Sequence, residues 1–178
     1  MPNVLVVLAE GFEEMEAIAP IDLLRRAEAE VTIASIGALE LIGRSRIRLT
    51  AEQTLANVED KTFDLIVIPG GPAFKFLRQN LRLRALLQRH AEEGKMLAAI
   101  CAAPTTLFDA GLLEGRAYTA HFTVCDELTQ IDKAQAVVED GPIITSQGAG
   151  TATEFGLTLV KRLFGKEKAD AIAASICV

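Results

Sequence analysis

The chain has 178 residues, half of them hydrophobic, with no tryptophan and a formal net charge of −6 at pH 7. A chain of this length normally forms one domain and can bury a sizeable aliphatic core. The acidic balance leaves no basic stripe to replace phosphate counterions, which disfavours stable binding of nucleic acid. Three cysteines without CxxC spacing and only two histidines argue against a disulfide framework and against a metal centre held by the protein.

Hydrophobic runs bounded by turn residues predict strands that alternate with helices. Such alternation is typical of an α/β domain with a mostly parallel, doubly wound sheet, here spanning residues 1–178. Pro20 is expected to kink the first helix, since proline lacks the N–H group that would donate a helical hydrogen bond. The expected elements are strands at 4–9, 31–36, 64–68 and 96–100, a short strand or hairpin around 47–49, a short strand near 118–119, a two-stranded hairpin at 137–145, and helices at 15–26, 74–93, 104 onward, 152–163 and 166–177.

No secretory signal or membrane span is visible in this order of elements. Neither a basic segment nor a long apolar run precedes the first strand, and no later run is long enough to cross a bilayer. We therefore expect a cytoplasmic protein that does not associate with membranes.

Cys101 lies where the apolar run 96–100 ends and a turn of small residues opens a helix. This is the layout of a nucleophile elbow with sulfur in place of the serine oxygen. A helix N-terminus directs N–H groups and the positive end of its dipole at such a sulfur, so we expect the pKa of Cys101 to lie well below that of an ordinary thiol. The same local pattern fits a buried cysteine that acts as a small hydrophobe.

A glycine pair, Gly70 and Gly71, follows the buried strand at 64–68. Ligands of open α/β sheets bind outside the carboxyl ends of the strands, where this turn, the loop at 13–16 and Cys101 all fall. The N–H groups of Gly70, Gly71 and Ala102 are therefore candidates to hold an oxyanion formed when sulfur attacks a carbonyl. Taken alone, the glycine pair is better explained as a tight turn.

Four motifs together resemble the DJ-1/ThiJ/PfpI superfamily, and within it the small DJ-1-like branch. The resemblance spans essentially the whole chain, with the motifs in the right order. It implies a flavodoxin-like sandwich, usually a homodimer, with an oxidation-sensitive cysteine beside a glutamate from the first loop. The motifs are Glu13-Glu14-Met15-Glu16, Ile68-Pro69-Gly70-Gly71, Ala99-Ile100-Cys101-Ala102-Ala103-Pro104 and Thr145-Ser146-Gln147-Gly148-Ala149-Gly150-Thr151.

The resemblance assigns roles to four side chains. Cys101 matches the nucleophile, and Glu16 matches its partner carboxyl, which we expect to be protonated so that it can donate a hydrogen bond to sulfur or to a sulfinate oxygen. His121 matches a nearby histidine and is a candidate proton shuttle, and the alternative is a loop histidine without a catalytic role. Arg46 matches a pocket position that could bind a carboxylate or phosphate, but arginine is as often a plain surface charge.

Other ionisable residues are expected to have structural roles only. Glu13 and Glu14 suit the N-terminus of the first helix, where acidic side chains are favourable. His90 stands among polar residues of the predicted helix at 74–93, so we expect it on the solvated surface.

Two hypotheses of different classes follow for the function. The first is a cofactor-free glyoxalase or deglycase, of hydro-lyase or hydrolase type, that protects against oxidative and carbonyl stress by adding Cys101 to methylglyoxal, glyoxal or their adducts. Glu16 and His121 would move protons, and the N–H groups of Gly71 and Ala102 would hold the oxygen. The alternative is a redox-sensing stress protein or chaperone whose signal is oxidation of Cys101 to sulfinic acid. A peptidase is disfavoured because Ala102 stands where peptidase-like branches have histidine.

Overall fold

A seven-stranded sheet forms the centre of this computed structural model, which describes residues 1–178. The sheet has the order β5-β2-β1-β6-β7-β9-β8, and every neighbouring pair is parallel except β8 with β9. The remaining two strands, β3 and β4, form a separate antiparallel hairpin. The strands are β1 (Asn3–Leu8), β2 (Glu30–Ser35), β3 (Glu40–Ile42), β4 (Arg48–Thr50), β5 (Gln53–Thr54), β6 (Leu65–Ile68), β7 (Met96–Ile100), β8 (Val137–Asp140) and β9 (Ile143–Ser146).

Six helices complete the expected α/β sandwich. One group of packed helices contains α1, α5 and α6, and the other contains α2, α3 and α4. None of them is long and apolar enough to cross a membrane. The helices are α1 (Glu14–Arg26), α2 (Phe74–Gln79), α3 (Leu81–Glu92), α4 (Pro104–Asp109), α5 (Ala152–Phe164) and α6 (Lys166–Ser175).

The direction of strand addition reverses at β1. The chain first adds β2 on one side of β1 and then adds β6 and β7 on the other side. Because parallel crossovers are right-handed, this reversal places the connecting helices on opposite faces of the sheet. It also opens a crevice at the carboxyl ends of β1 and β6, which is where doubly wound sheets bind ligands.

The core is aliphatic, as the composition predicts. Residues Val4 to Leu8 of β1 and Leu65 to Ile68 of β6 are fully buried, so both strands are covered on both faces.

The hairpins expected around 47–49 and at 137–145 are also present.

Three elements differ from expectation. The single helix expected at 74–93 is broken at Asn80, whose side-chain Oδ1 accepts a hydrogen bond from the N–H of Leu83 (2.9 Å) and so caps α3. Helix α1 continues through Pro20 without a break. The strand expected near 118–119 is reduced to one isolated bridge between Tyr118 and Ile131.

His90 is fully buried, which makes the expected surface location wrong. Its Nε2 accepts a hydrogen bond from the N–H of Phe63 (2.9 Å), and its Nδ1 donates to the carbonyl of Leu86 (2.9 Å). The position lies on the same helix face as the buried Leu83 and Leu86, because residues three or four apart lie on one side of a helix. Burial lowers the pKa of His90, so the ring is neutral near pH 7.

Candidate active site

Three loops meet at the carboxyl edge of the sheet and bring Glu16, Gly70 and Cys101 together. Glu16 lies in the first turn of α1 after β1, Gly70 follows β6, and Cys101 follows β7. Cys101 has a φ of +66°, a left-handed conformation that costs free energy for a residue with a side chain. The backbone of this turn is held on both sides, because the N–H of Cys101 donates to Ser146 (3.0 Å) and its carbonyl accepts from His121 (2.8 Å). The expected strand–turn–helix elbow is therefore present.

The Glu16 carboxyl is the buried partner of the Cys101 sulfur. Only 1% of Glu16 is exposed, while Cys101 is half-buried. The carboxyl lies close enough to the thiol of Cys101 for each group to shift the pKa of the other, and its Oε2 accepts from the N–H of Gly70 at 2.8 Å. The N–H of Gly70 is thus already used, and the expectation that it holds a substrate oxyanion is wrong. The N–H groups of Gly71 and Ala102 point at the sulfur, as expected.

The two glycines after β6 are required by the close approach of the loops. A Cβ atom on Gly70 would lie 2.7 Å from the Cβ of Cys101 and 2.8 Å from Oε2 of Glu16, closer than real contacts allow. A Cβ on Gly71, whose φ is +79°, would lie 2.6 Å from the N of Glu13 and from the carbonyl of Gly11. The pair is therefore both a tight turn and the floor of the site.

The pKa values of Glu16 and Cys101 both lie above those of the free groups. Burial raises the pKa of Glu16 to about 7, against the hydrogen bonds from Cys101 and Gly70. Burial, together with the charge and hydrogen bond of Glu16, raises the pKa of Cys101 to about 12. The low pKa expected for Cys101 is therefore wrong. The helix that follows it has only six residues, and the N–H groups aimed at the sulfur are outweighed by burial and by the carboxylate.

Above about pH 7 the pair therefore keeps one of its two protons. After the first proton leaves, the remaining one can lie on the carboxyl oxygen or on the sulfur, since the titrations of the two groups are coupled. The sulfur becomes nucleophilic when this proton passes to Glu16. The structure thus supplies a base in contact with the thiol instead of a permanently ionised cysteine.

His121 lies beside this pair as a neutral ring. Burial and the positive charge of Arg44 lower its pKa. Its Nδ1 accepts from the N–H of Thr123 (3.4 Å) and lies 2.9 Å from the hydroxyl of the same residue, which leaves the ring proton on Nε2. The Cδ2 edge, next to Nε2, faces Gly148, where a Cβ atom would lie 3.3 Å from Cδ2 and 3.8 Å from Oε1 of Glu16.

Sequence reasoning missed Arg44 and the position of Gly148. The charge of Arg44 lowers the pKa of both Glu16 and His121. Arg44 and Arg46 are both exposed. The two arginines stand two residues apart in one turn, so the sequence held no signal to choose between them. Binding of substrate by Arg46 stays a prediction.

Glu13 and Glu14 have different structural roles. Glu13 caps α1, since its Oε2 accepts from the N–H of Glu16 at 2.8 Å, as expected for an acidic residue at a helix N-terminus. Glu14 is also buried, and its Oε1 accepts from the N–H groups of Ser45 (2.8 Å) and Ile47 (3.4 Å). Glu14 therefore does more than complement the helix dipole, because it fixes the β3–β4 turn against α1. No group of three or more His, Cys, Asp or Glu side chains is arranged to hold a metal ion.

A doubly wound sheet with a left-handed cysteine turn and a buried acid at its carboxyl edge defines a class of flavodoxin-like proteins. Within that class, this chain belongs to the DJ-1/PfpI family, whose family model matches residues 2–162.

Relatives share this fold over nearly the whole chain. Protein DJ-1 homolog B of Arabidopsis thaliana is 41% identical over 94% of the chain, and the glutathione-independent glyoxalase DJR-1.2 of Caenorhabditis elegans is 35% identical over 95% of the chain and 92% of its own length. The chain spans only 39% of the length of that Arabidopsis protein and 45% of its homolog A. The solved structure of oxidized Toxoplasma gondii DJ-1 is 37% identical, with a TM-score of 0.95, and each chain covers at least 98% of the other.

Proposed function

We propose that this protein is a cofactor-free glyoxalase that converts 2-oxoaldehydes such as methylglyoxal, or their early adducts, into 2-hydroxy acids. The observation that carries the proposal is the buried Glu16 carboxyl beside Cys101, and its pKa, raised by burial to about 7, suits a general base at neutral pH. A relative that covers nearly the same length is named a glutathione-independent glyoxalase, which supports this choice of reaction. Protection against carbonyl stress would be the cellular consequence.

In the first step, the sulfur of Cys101 bonds to the aldehyde carbon C1 while its proton passes to the Glu16 carboxylate. The N–H groups of Gly71 and Ala102 point at the sulfur and can donate to the oxygen that becomes negative. Glu16 then returns the proton to this oxygen. The product is a neutral hemithioacetal, and Glu16 is again a carboxylate.

In the second step, Glu16 removes the hydrogen of C1 as a proton, while the Nε2–H of His121 donates to the ketone oxygen on C2. Glu16 then delivers the proton it took to C2, and the C1 hydroxyl returns a proton to Nε2 of His121 as the thioester carbonyl forms. C1 is thereby oxidised by two electrons and C2 is reduced by two. No external oxidant is needed. Water then hydrolyses the resulting thioester, which releases the hydroxy acid and returns the thiol.

Turnover of methylglyoxal to lactate by the purified chain tests this proposal. We expect Cys101→Ser and Glu16→Gln to lose activity by orders of magnitude, whereas Cys125→Ser keeps it. Activity should rise with pH through about 7 as Glu16 loses its proton. Lactate formation that survives in Cys101→Ser would overturn the proposal and identify a contaminating enzyme.

A second candidate function, redox sensing, is favoured by one feature of the site. A sulfinate at Cys101 would be held by the N–H groups of Gly71 and Ala102 and by a protonated Glu16. A relative from Toxoplasma gondii has been solved in an oxidized form. Intact mass after graded peroxide, mapped to single cysteines, tests it. A gain of two oxygens confined to Cys101 supports the sensor, and equal oxidation of Cys125 counts against it.

A further inference from the structure

A cavity of about 320 Å³ opens beside the Cys101–Glu16 pair, and His121 is its one lining residue that takes part in the steps above. His121 and Gly148 belong to both the cavity wall and the active site, so the cavity adjoins the active site. Its volume lies at the lower end of the usual range for small-molecule pockets, which starts at about 300 Å³. A substrate bonded to Cys101 could therefore extend a short tail into it.

The charge of the cavity is opposite to that of the molecule. Lys133 is the only lining residue with a full charge, and no Asp or Glu contributes to the wall, although the chain as a whole carries −6. The ammonium of Lys133 forms no ion pair within the chain. The neighbouring carboxylate of Asp132 accepts from Ala134 (2.8 Å) and Gln135 (2.8 Å), so it is used within its own loop.

The segment that carries Lys133 is held in place by Gln147, another residue that lines the cavity. The side-chain Nε2 of Gln147 donates to the carbonyls of Lys133 (3.1 Å) and Gln135 (2.8 Å). Fixing the backbone at Lys133 lowers the entropy lost when its side chain meets a ligand. Phe122 and Ile131 add apolar wall that would contact the carbon chain of a substrate.

We propose that this cavity binds the anionic tail of the substrate, with Lys133 as its counter-charge, so that the preferred substrates are 2-oxoaldehydes that carry a carboxylate or phosphate. The proposal rests on the proposed glyoxalase function and narrows its substrate class. The positive charge of Arg44, which acts on Glu16 and His121 from the β3–β4 turn, adds to the attraction of an anionic substrate to the site. The reaction itself is unchanged, since the tail stays intact while C1 is oxidised and C2 reduced.

The test compares two aldehydes of equal chain length. 4,5-Dioxopentanoate carries a carboxylate at the end opposite its oxoaldehyde, and 2-oxopentanal is its neutral counterpart. We expect kcat/KM to favour the anion by about tenfold at low salt, and added salt should reduce this preference. Lys133→Gln should bring the ratio close to one, and Lys133→Arg should keep most of it. Lys61→Gln, an exposed lysine before β6, is the matched control and should leave the ratio unchanged.

The outcomes separate the two proposals. Turnover of both aldehydes with no preference, or a preference that survives in Lys133→Gln, overturns the anion site but leaves the glyoxalase standing. If neither aldehyde is turned over, the glyoxalase fails, and protection of Cys101 from iodoacetamide then tests the site by itself. 4-Oxopentanoate should slow alkylation more than 2-pentanone, and only when Lys133 is present. Equal protection by the two ketones would overturn the anion site.

Discussion

At the scale of single residues, Glu16 is a buried acid whose proton links folding to chemistry. Its pKa in the folded chain is about 7, compared with an ordinary value of 4.5. Between these values the folded chain binds more protons than the unfolded chain does. The free energy of unfolding therefore falls as the pH rises through this window. Burial of Glu16 thus provides a base with a pKa near neutral pH, and it also lowers the free energy of unfolding at the pH where this base is ionised.

Substitution of Glu16 by Gln should remove this dependence. We expect the wild type to lose up to about 3 kcal/mol of stability relative to Glu16→Gln between about pH 4.5 and pH 7. Urea unfolding of both proteins at several pH values measures the difference. Glu92→Gln, which changes an exposed glutamate of α3, should follow the wild type at every pH. A constant difference between wild type and Glu16→Gln would show that the carboxyl does not titrate in this range.

His90 gives stability the opposite pH dependence. Its folded pKa lies below the ordinary 6.5, so the unfolded chain binds the proton more readily, and stability is lost as the pH falls below about 6.5. His90→Leu should lose this dependence and should also cost about 1–3 kcal/mol, because the N–H of Phe63 loses its acceptor in the core.

His90→Gln, which keeps an acceptor, should recover part of the stability but not the pH dependence. Unfolding curves at about pH 5 and pH 7.5 decide the matter. If the leucine variant were destabilised by acid as strongly as the wild type, some other group would be responsible.

At the scale of elements, helices α1 and α5 pack closely against each other at Gly156. A Cβ atom there would lie 2.7 Å from Cδ1 of Leu23 and 3.2 Å from the Cα of Pro20. Leu23 can rotate away, but the backbone at Pro20 can move only with the whole helix. Since α1 carries Glu16 in its first turn, this contact also positions the base.

Gly156→Ala should therefore destabilise the protein, although alanine favours a helix more than glycine does. The gain in helix propensity is about 1 kcal/mol, and overpacking costs about 1–3 kcal/mol, so we expect a net loss of about 1 kcal/mol. Thermal and urea unfolding measure it. Gly150→Ala, where a Cβ meets nothing within 4 Å, is the matched control and should be neutral. A more stable Gly156→Ala would mean that the helices separate without cost.

The elements themselves were largely predictable, because strands and helices follow from local periodicity. The prediction that failed is the single helix at 74–93, which the structure divides into α2 and α3. The apolar repeat continues across Asn80, so the pattern favours one helix, but the side chain of Asn80 caps a new one. Asparagine is a common N-cap, and this signal was present in the sequence.

At the scale of the whole molecule, we propose that the protein is a homodimer that uses the exposed apolar face of α1. Met15 is 58% exposed and Ile18 is 46% exposed. Ile47, which is 59% exposed, lies beside them because Glu14 binds the turn that carries it. Apolar side chains grouped in this way are typical of an interface.

Light scattering at micromolar concentration should show a dimer for the wild type. Ile18→Glu should shift it towards monomer, since a charge would be buried in the interface. Leu81→Glu introduces the same charge at a residue that is 72% exposed on α3, and it should remain dimeric. A monomeric wild type would remove the proposal, and dissociation of both variants would show that the effect is not specific to α1.

The sequence by itself determined the α/β class, the cysteine turn after β7 and the glycine pair after β6. These features are local, because periodicity, turn residues and the backbone freedom of glycine act within a few positions of each other. Glu16 was found by resemblance to relatives, since 54 positions separate it from the Gly70 N–H that it binds.

Only the tertiary structure decided the electrostatics of the site. Two findings contradict the sequence patterns, namely the raised pKa of Cys101 and the burial of His90. Two others were not predicted from the sequence, namely the effect of Arg44 on Glu16 and the place of Gly148 between His121 and Glu16. Each depends on distances between segments far apart in the chain and on how much water the fold excludes. Local patterns carry neither quantity, whereas charge interactions and desolvation depend directly on both.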